Sequence, residues 1–144
     1  MRLKRRIASV AIGLAAISLP TGCGGGSRTA AVCANADGAL DDTGFVFVQA
    51  PRSGERVSNG FHVSGCSSTY EATVTWRLVA TDGHVLESGS TQGGSLEPGA
   101  FAFVVRYAVD RRQVGNLEVE GTSGATPPEG FPPPTDVVPL VLEP

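Results

Sequence analysis

Length, composition and charge limit what this chain of 144 residues can be. Four of its 11 basic residues, but none of its 14 acidic ones, precede Cys23, so the chain from Cys23 onward has a net charge of −7 and no lysine. This balance argues against a nucleic-acid-binding protein, which needs a basic patch, and against attraction to an anionic lipid surface. The 122 residues from Cys23 onward are enough for one domain.

The N-terminus has the pattern of an export signal. The first six residues hold four basic side chains, and residues 7–19 form an uncharged apolar run. A permanent transmembrane helix needs about 20 apolar residues, so this run is too short to span a bilayer comfortably. We therefore predict that residues 1–22 are a secretory signal peptide.

Cys23 follows this run directly and is preceded by Thr21 and Gly22. The three residues resemble the box of a bacterial lipoprotein signal, in which the cysteine is lipidated and the chain is cut before it. Pro20 stands where that family prefers leucine. The resemblance implies an acyl-anchored protein on the extracytoplasmic side of the cell membrane. The alternative is an ordinary secreted protein that is cut nearby and keeps Cys23 as a free or disulfide-bonded thiol.

Residues 23–43 are small, polar and weakly patterned, and we predict that they form a flexible tether. The tether contains Cys33, and Cys66 lies further along the chain. Outside the cytoplasm two such cysteines favour a disulfide, although two free thiols are the alternative. His62 and His84 have no metal-ligand spacing to these cysteines, so we predict no metal site and no cofactor.

Residues 44–144 are predicted to form one folded domain made of strands. In the stretch EATVTWRLVATDG, Val74 and Trp76 belong to an apolar series that alternates with polar residues. Alternation with β-branched and aromatic residues is typical of a half-buried strand. Asp82 and Gly83 then predict a two-residue hairpin turn, after which HVLESGS returns antiparallel.

Further short apolar runs alternate in the same way, and Gly- and Pro-rich stretches separate them. The runs are GFVFVQA, GFHVSGC, AFAFVVRYA, GNLEVEG and DVVPLVLEP. About seven strands with turn signals between them predict an all-β fold, an immunoglobulin-like antiparallel sandwich. The spacing places Trp76, Phe101, Phe103 and Tyr107 in its core. Pro139 inside the last run favours an edge strand or a bulge.

Six short motifs follow one another in order along this domain. They are Pro and Gly after a strand in VFVQAPRSGERV, Val-x-Gly in FHVSGCS, aromatic-Glu-Ala-x-Val at residues 70–74, an acidic-Gly turn at 82–83, Gly-x-Phe at 99–101 and Val-Pro-x-x-Leu at 138–142. The order resembles the immunoglobulin-like domain of bacterial spore germination, the Gmad-type domain, over residues 45–143. The Pro-rich TPPEGFPPP and Cys66 depart from that pattern. The resemblance implies an immunoglobulin-like sandwich on an exported, often lipid-anchored protein, and it implies no catalytic residues.

Few side chains outside the predicted core point to chemistry. Glu71 stands alone at the start of a strand, and Asp41-Asp42 lack the further oxygen ligands that a calcium site needs. The sequence has no nucleophile elbow, no phosphate-binding glycine loop and no HExxH motif. His62 and His84 should be solvated at the surface. We therefore predict no catalytic residues and a protein that is not an enzyme.

The segment TPPEGFPPP is the candidate interaction loop, with Pro128, Phe131 and Pro132 as its candidate contacts. Such a segment favours an extended polyproline conformation that docks on aromatic grooves. The alternative is a stiff connector whose Phe131 packs back on the sandwich. We expect a non-catalytic protein-interaction module at the cell envelope with an unknown envelope protein as its partner; the alternative is an envelope glycan-binding module.

Overall fold

The computed structural model describes residues 33, 44–122 and 133–144. The predicted signal helix and nearly all of the predicted tether lie outside these ranges. The described ranges contain no apolar helix long enough to span a bilayer. They contain the strands β1 Phe45–Ala50, β2 Arg56–Val57, β3 Phe61–Ser68, β4 Thr73–Ala80, β5 Val85–Gln92, β6 Gly99–Val105, β7 Gln113–Gly121 and β8 Thr135–Leu142.

The strands form two sheets that face each other. One is a three-stranded sheet in the order β1-β3-β6, and the other is a five-stranded sheet in the order β2-β8-β7-β4-β5. The long strands pair antiparallel with their neighbours, whereas the short β2 pairs in parallel with the end of β8. The prediction of an all-β, immunoglobulin-like sandwich is confirmed. The strand count exceeds the expected seven because β2 pairs over only two residues, too few to leave a sequence pattern.

The core lies between the sheets and takes alternate residues from each strand. Trp76 and Leu78 of β4 are buried, as are Phe101 of β6 and Tyr107 just after it. Phe103 packs against this cluster and stacks on Trp76, with ring centroids 4.7 Å apart. Burying each large apolar side chain contributes about 1.5–3 kcal/mol to folding. The predicted core positions are therefore confirmed.

The β4–β5 hairpin differs from the predicted two-residue turn. The loop is closed by Ala80 and His84, because the Ala80 N–H is donated to the His84 carbonyl at 2.8 Å. Three residues, Thr81, Asp82 and Gly83, lie between them. The Gly83 N–H is also donated to the Ala80 carbonyl, at 2.9 Å. A two-residue type I′ turn needs positive φ at both central residues. Only Gly83 has one here, at φ 86°, while the Asp82 carboxylate accepts the His84 N–H at 3.0 Å.

Pro139 lies inside β8, opposite Asn116 of β7. β8 is an inner strand of its sheet, but β2 on its other side pairs only with Val141 and Leu142. The Val141 N–H, two residues on, is donated to the Glu55 carbonyl on the side of β8 away from β7. Residues two apart in a strand point their backbone N and C=O groups to the same side, so the Pro139 nitrogen faces the same side as the Val141 N–H. There the Gly54 N–H is donated to the Pro139 carbonyl at 2.8 Å. The proline therefore removes no bond to β7, and the predicted edge position holds for the residue but not for the strand.

Two cross-links hold the three-stranded sheet to other parts of the chain. Cys33 and Cys66 form a disulfide, with Cα atoms 5.6 Å apart, and both are buried. This is the predicted pairing. The Asp136 carboxylate at the start of β8 accepts the Val48 N–H at 2.8 Å, which ties the edge strand β1 to the opposite sheet.

Candidate binding surface

Most of the side chains that the sequence singled out lie outside the described residues. These are Cys23 with its predicted lipidation, Asp41 and Asp42, and the candidate loop contacts Pro128, Phe131 and Pro132. For these residues the sequence-based predictions stay predictions.

The other candidates are described, and they lie apart from one another. Glu71, His62 and His84 are all exposed, at the start of β4, on β3 and beside the β4–β5 turn. Within the described ranges, no three His, Cys, Asp or Glu side chains are grouped so that they could hold a metal ion. The exposed features that do come together are apolar, and they lie at one end of the sandwich.

One end of the sandwich gathers the connections that follow β3, β5 and β7, and we name it the loop end. Its described residues are 69–72, 93–98, Gly44, Thr122 and 133–134. Thr122 donates its N–H to the Thr73 carbonyl, and Gly121 donates to the Pro134 carbonyl, so the start of β4 and both flanks of the Pro-rich segment meet here. The predicted interaction loop is therefore attached to this end.

Two large side chains project from the loop end into solvent. Tyr70 is 68% exposed and Leu96 is 79% exposed. They lie on different loops, and the Ser95 hydroxyl joins the loops by donating to the Tyr70 carbonyl at 3.1 Å. An exposed tyrosine is a common anchor of contact surfaces, and here its loop is joined to the loop that exposes Leu96.

Backbone hydrogen bonds fix the conformation of both loops. The Thr69 N–H is donated to the Gly94 carbonyl at 3.0 Å, and the Gly93 N–H is donated to the Ala72 carbonyl at 2.7 Å. The Gly94 N–H is donated to the buried Ser67 hydroxyl at 3.2 Å. Gly94 is itself buried, and a Cβ there would collide with backbone atoms on two sides. The loops are therefore preorganised, which lowers the entropy cost of binding.

Two residues of the loop end have left-handed backbone although neither is glycine. Leu96 has φ 63° and Ala72 has φ 56°. For residues with a Cβ this region costs about 1–2 kcal/mol each. Such strain persists only where surrounding bonds hold it, and it concentrates at functional positions.

The loop end is acidic, and the opposite end carries the positive charge. Glu71 and Glu97 are exposed next to Tyr70 and Leu96, and the described ion pairs involve neither carboxylate. Of the six described arginines only Arg77 lies in the middle of a sheet. The other five lie in β2, in the connection before it, and between β6 and β7; they are Arg52, Arg56, Arg106, Arg111 and Arg112.

A groove lies on the outer face of the five-stranded sheet. The groove has a volume of about 670 Å³, and the residues around it are mainly polar. Arg77 and Glu118 form an ion pair across it. Among the described residues that border it, the aromatic one is Trp76, whose ring is stacked in the core on Phe103. The described lining therefore presents no exposed ring on which a sugar could stack.

Leu96 is the residue of the loop end that the sequence did not indicate. It stands in SLEPGA, where Pro and Gly mark a loop but a single leucine gives no periodicity. Leucine rarely has positive φ, so nothing in the sequence indicated its conformation. Tyr70 was visible only as the aromatic of a family motif.

Comparison with known proteins agrees with the fold and leaves the activity open. The family model for the immunoglobulin-like domain of bacterial spore germination matches residues 45–126, which is more than half of the chain. Among curated proteins, none matches the chain.

Proposed function

Because this chain belongs to the family of immunoglobulin-like domains of bacterial spore germination, we propose that it is a non-catalytic protein-interaction module on the extracytoplasmic side of the cell membrane. Lipidated Cys23 anchors it, and the loop end contacts the partner. The observation that supports the binding role is the exposure of Tyr70 and Leu96 on hydrogen-bonded loops.

The contact chemistry follows from the two side chains. Aromatic residues dominate the energetics of protein interfaces, and an apolar neighbour that excludes water strengthens the contact. Tyr70 and Leu96 offer this pair on a rigid scaffold, as recognition loops do in many β-sandwich proteins. Little conformational freedom is lost on binding because the loops are already fixed.

The anchoring part of the proposal depends on Cys23 and on the disulfide. Cys33, which the disulfide ties to the sandwich, lies ten positions after Cys23. Ten residue steps span at most about 36 Å when the chain is fully extended. In this proposal the module therefore stays close to the membrane, and its partner lies in the same layer.

The intact mass of the mature protein tests the anchor. A detergent extract of the native membranes should give a chain that starts at Cys23 and carries diacylglycerol and acyl chains. A mass without lipid would overturn the anchoring and place the protein among soluble exported proteins.

Site-specific photocrosslinking tests the binding surface. A photoreactive amino acid at Leu96 should give a discrete adduct in the cell envelope. The matched control is Val114, which is 52% exposed near the opposite end of the sandwich and should give none. Equal adducts at both positions, or none at either, would overturn the loop end as the binding surface.

Exposed Tyr70 also favours the second candidate, an envelope glycan-binding module, because a sugar ring stacks on an aromatic face. Binding of the mature protein to isolated cell-wall glycan, lost in Tyr70→Ala and kept in Leu96→Ala, would support this candidate. Equal loss in both variants would favour a protein partner, whose contact uses both side chains.

A further inference from the structure

The charge around Tyr70 and Leu96 indicates the kind of partner that fits. We propose that the loop end recognises a protein surface in which basic side chains surround an apolar recess. This inference rests on the proposed function above, and it adds the chemistry of the partner.

The apolar recess follows from the geometry of the loop end. Tyr70 and Leu96 are exposed on loops joined by the bond from Ser95, so in this proposal one partner surface contacts both side chains. Leu96 is held in left-handed backbone, at φ 63°. A fixed, mostly exposed leucine gains most from binding when a recess removes it from water.

The basic surround follows from the carboxylates. Glu71 follows Tyr70 in the chain and Glu97 follows Leu96, so each apolar contact has an exposed acidic neighbour. The described part of the loop end holds no basic residue, because five of the six described arginines lie at the other end. An acidic rim around apolar contacts is complementary to a basic rim on the partner, which steers association and disfavours acidic surfaces.

The same charges argue against a lipid bilayer as the occupant. Tyrosine and leucine at a loop tip are compatible with insertion at a membrane interface. Anionic headgroups, however, repel Glu71 and Glu97, and no described lysine or arginine of this end offsets them. A basic protein surface satisfies the apolar and the acidic groups together.

The test uses the full mature chain and two labelled peptides of equal length. Both peptides carry the same leucines and phenylalanines, and the remaining positions are arginine in one and glutamate in the other. The arginine peptide should bind and shift the amide NMR signals of residues 69–72 and 94–97, and its affinity should fall as salt is raised. Equal binding of both peptides, or shifts confined to other residues, would overturn the inference.

Charge reversal separates a local effect from the net charge. Glu71→Arg and Glu97→Arg should each weaken binding of the arginine peptide by about fivefold. Asp110→Arg changes the net charge equally at the opposite end and should have less than about half that effect. Equal weakening by all three variants would show that only net charge matters and would overturn the inference.

The photocrosslinking experiment distinguishes failure of this inference from failure of the proposed function. An adduct at Leu96 whose yield is unaffected by salt and by Glu97→Arg would leave the proposed function standing and overturn the basic partner. The absence of any adduct would count against the proposed function itself. Binding of the unlipidated mature chain to phosphatidylglycerol vesicles, lost in Leu96→Gly, would overturn the inference in favour of a lipid surface.

Discussion

Leu96 has both a strained backbone and an exposed side chain. Its backbone is left-handed at φ 63°, and its side chain is 79% exposed. Neither property stabilises the fold. The proposed contact with a partner would account for a residue that costs stability and packs against little.

The first prediction concerns Leu96→Gly. Glycine relieves the left-handed backbone but loses more chain entropy on folding, so the free energy of unfolding should rise by about 0.5–1 kcal/mol. Leu96→Ala is the matched control, because it removes the same side chain, keeps the Cβ and should give no such gain. Urea unfolding checks both variants. A less stable Leu96→Gly would mean that the leucine side chain contributes packing.

Tyr107 is the opposite case, a polar side chain used entirely inside the fold. Its hydroxyl donates toward the Val57 carbonyl at 2.6 Å, lies 2.9 Å from the Glu143 carbonyl and accepts the Glu143 N–H at 3.1 Å. It thus joins β2, the segment after β6 and the end of β8. Removal of the hydroxyl takes away these bonds, although the Glu143 N–H still donates to the Val57 carbonyl at 2.9 Å.

The second prediction is that Tyr107→Phe lowers the free energy of unfolding by about 0.5–1.5 kcal/mol, the net value of a lost hydrogen bond whose backbone partners stay paired with each other. Tyr70→Phe is the control, because Tyr70 is exposed and the loss of its hydroxyl leaves the core unchanged. Denaturant unfolding at neutral pH should separate the two variants. A similar stability for both would show that the hydroxyl bonds contribute nothing net.

The pH dependence of stability follows from the same residue. Burial raises the pKa of Tyr107 above its ordinary value of 10.0; the hydrogen bond with Glu143 lowers this pKa and the Glu143 charge raises it by smaller amounts. The unfolded chain therefore ionises first as pH rises. The contribution to stability is complete below pH 10 and is lost as pH rises through the folded pKa. In Tyr107→Phe this alkaline loss should be absent, and unfolding curves across that pH range would show it.

At the scale of strands, close approach of neighbours decides several positions that alternation leaves open. Gly65 of β3 lies between the Phe47 carbonyl and the Phe101 ring, and a Cβ there would be less than 3.0 Å from both. Gly89 of β5 lies in the same way over the Trp76 ring. These glycines let aromatic rings lie flat against the neighbouring strand.

The third prediction is that Gly65→Ala destabilises the fold by about 1–3 kcal/mol, because backbone and a core ring must both move. Gly44→Ala is the control, since the nearest atom to its added Cβ is the Ser68 carbonyl oxygen at 3.7 Å. Thermal unfolding of the two variants should differ clearly. Equal melting temperatures would mean that β1 and Phe101 adjust at no cost.

At the scale of the whole molecule, the described cross-link between the predicted tether and the sandwich is the disulfide. It closes a loop of 33 residues between Cys33 and Cys66. It reaches β3, which pairs with both other strands of its sheet. Its loss affects the N-terminal segment and the sheet together.

The fourth prediction is that Cys33→Ala with Cys66→Ala lowers the free energy of unfolding by about 4 kcal/mol, the chain-entropy value for a loop of this length. Reductant should destabilise the natural chain by a similar amount and leave the double variant unchanged. Guanidinium unfolding with and without reductant measures both. A reductant effect on the double variant would point to another oxidised site.

The fold class was predictable because its signal is local. Val74, Trp76 and Leu78 alternate with polar residues within one segment. This pattern does not depend on which strands pair, so it can be seen in the sequence. The candidate surface was not predicted: the sequence marked Tyr70 only as the aromatic of a motif and placed the interaction loop at TPPEGFPPP. The hairpin loop was one residue too short in the prediction, because Asp82 with Gly83 is compatible with more than one turn.

The sequence by itself determined the sandwich, its core residues and the acidic balance, and it predicts the leader and the anchor at Cys23. Tertiary structure alone decided that Tyr70 and Leu96 share one end, since the bond from Ser95 to Tyr70 joins residues 25 positions apart. It also decided that five of the six described arginines gather at the other end. The physical reason is that alternation depends on neighbours along the chain, whereas a surface depends on which distant strands pair and in what register.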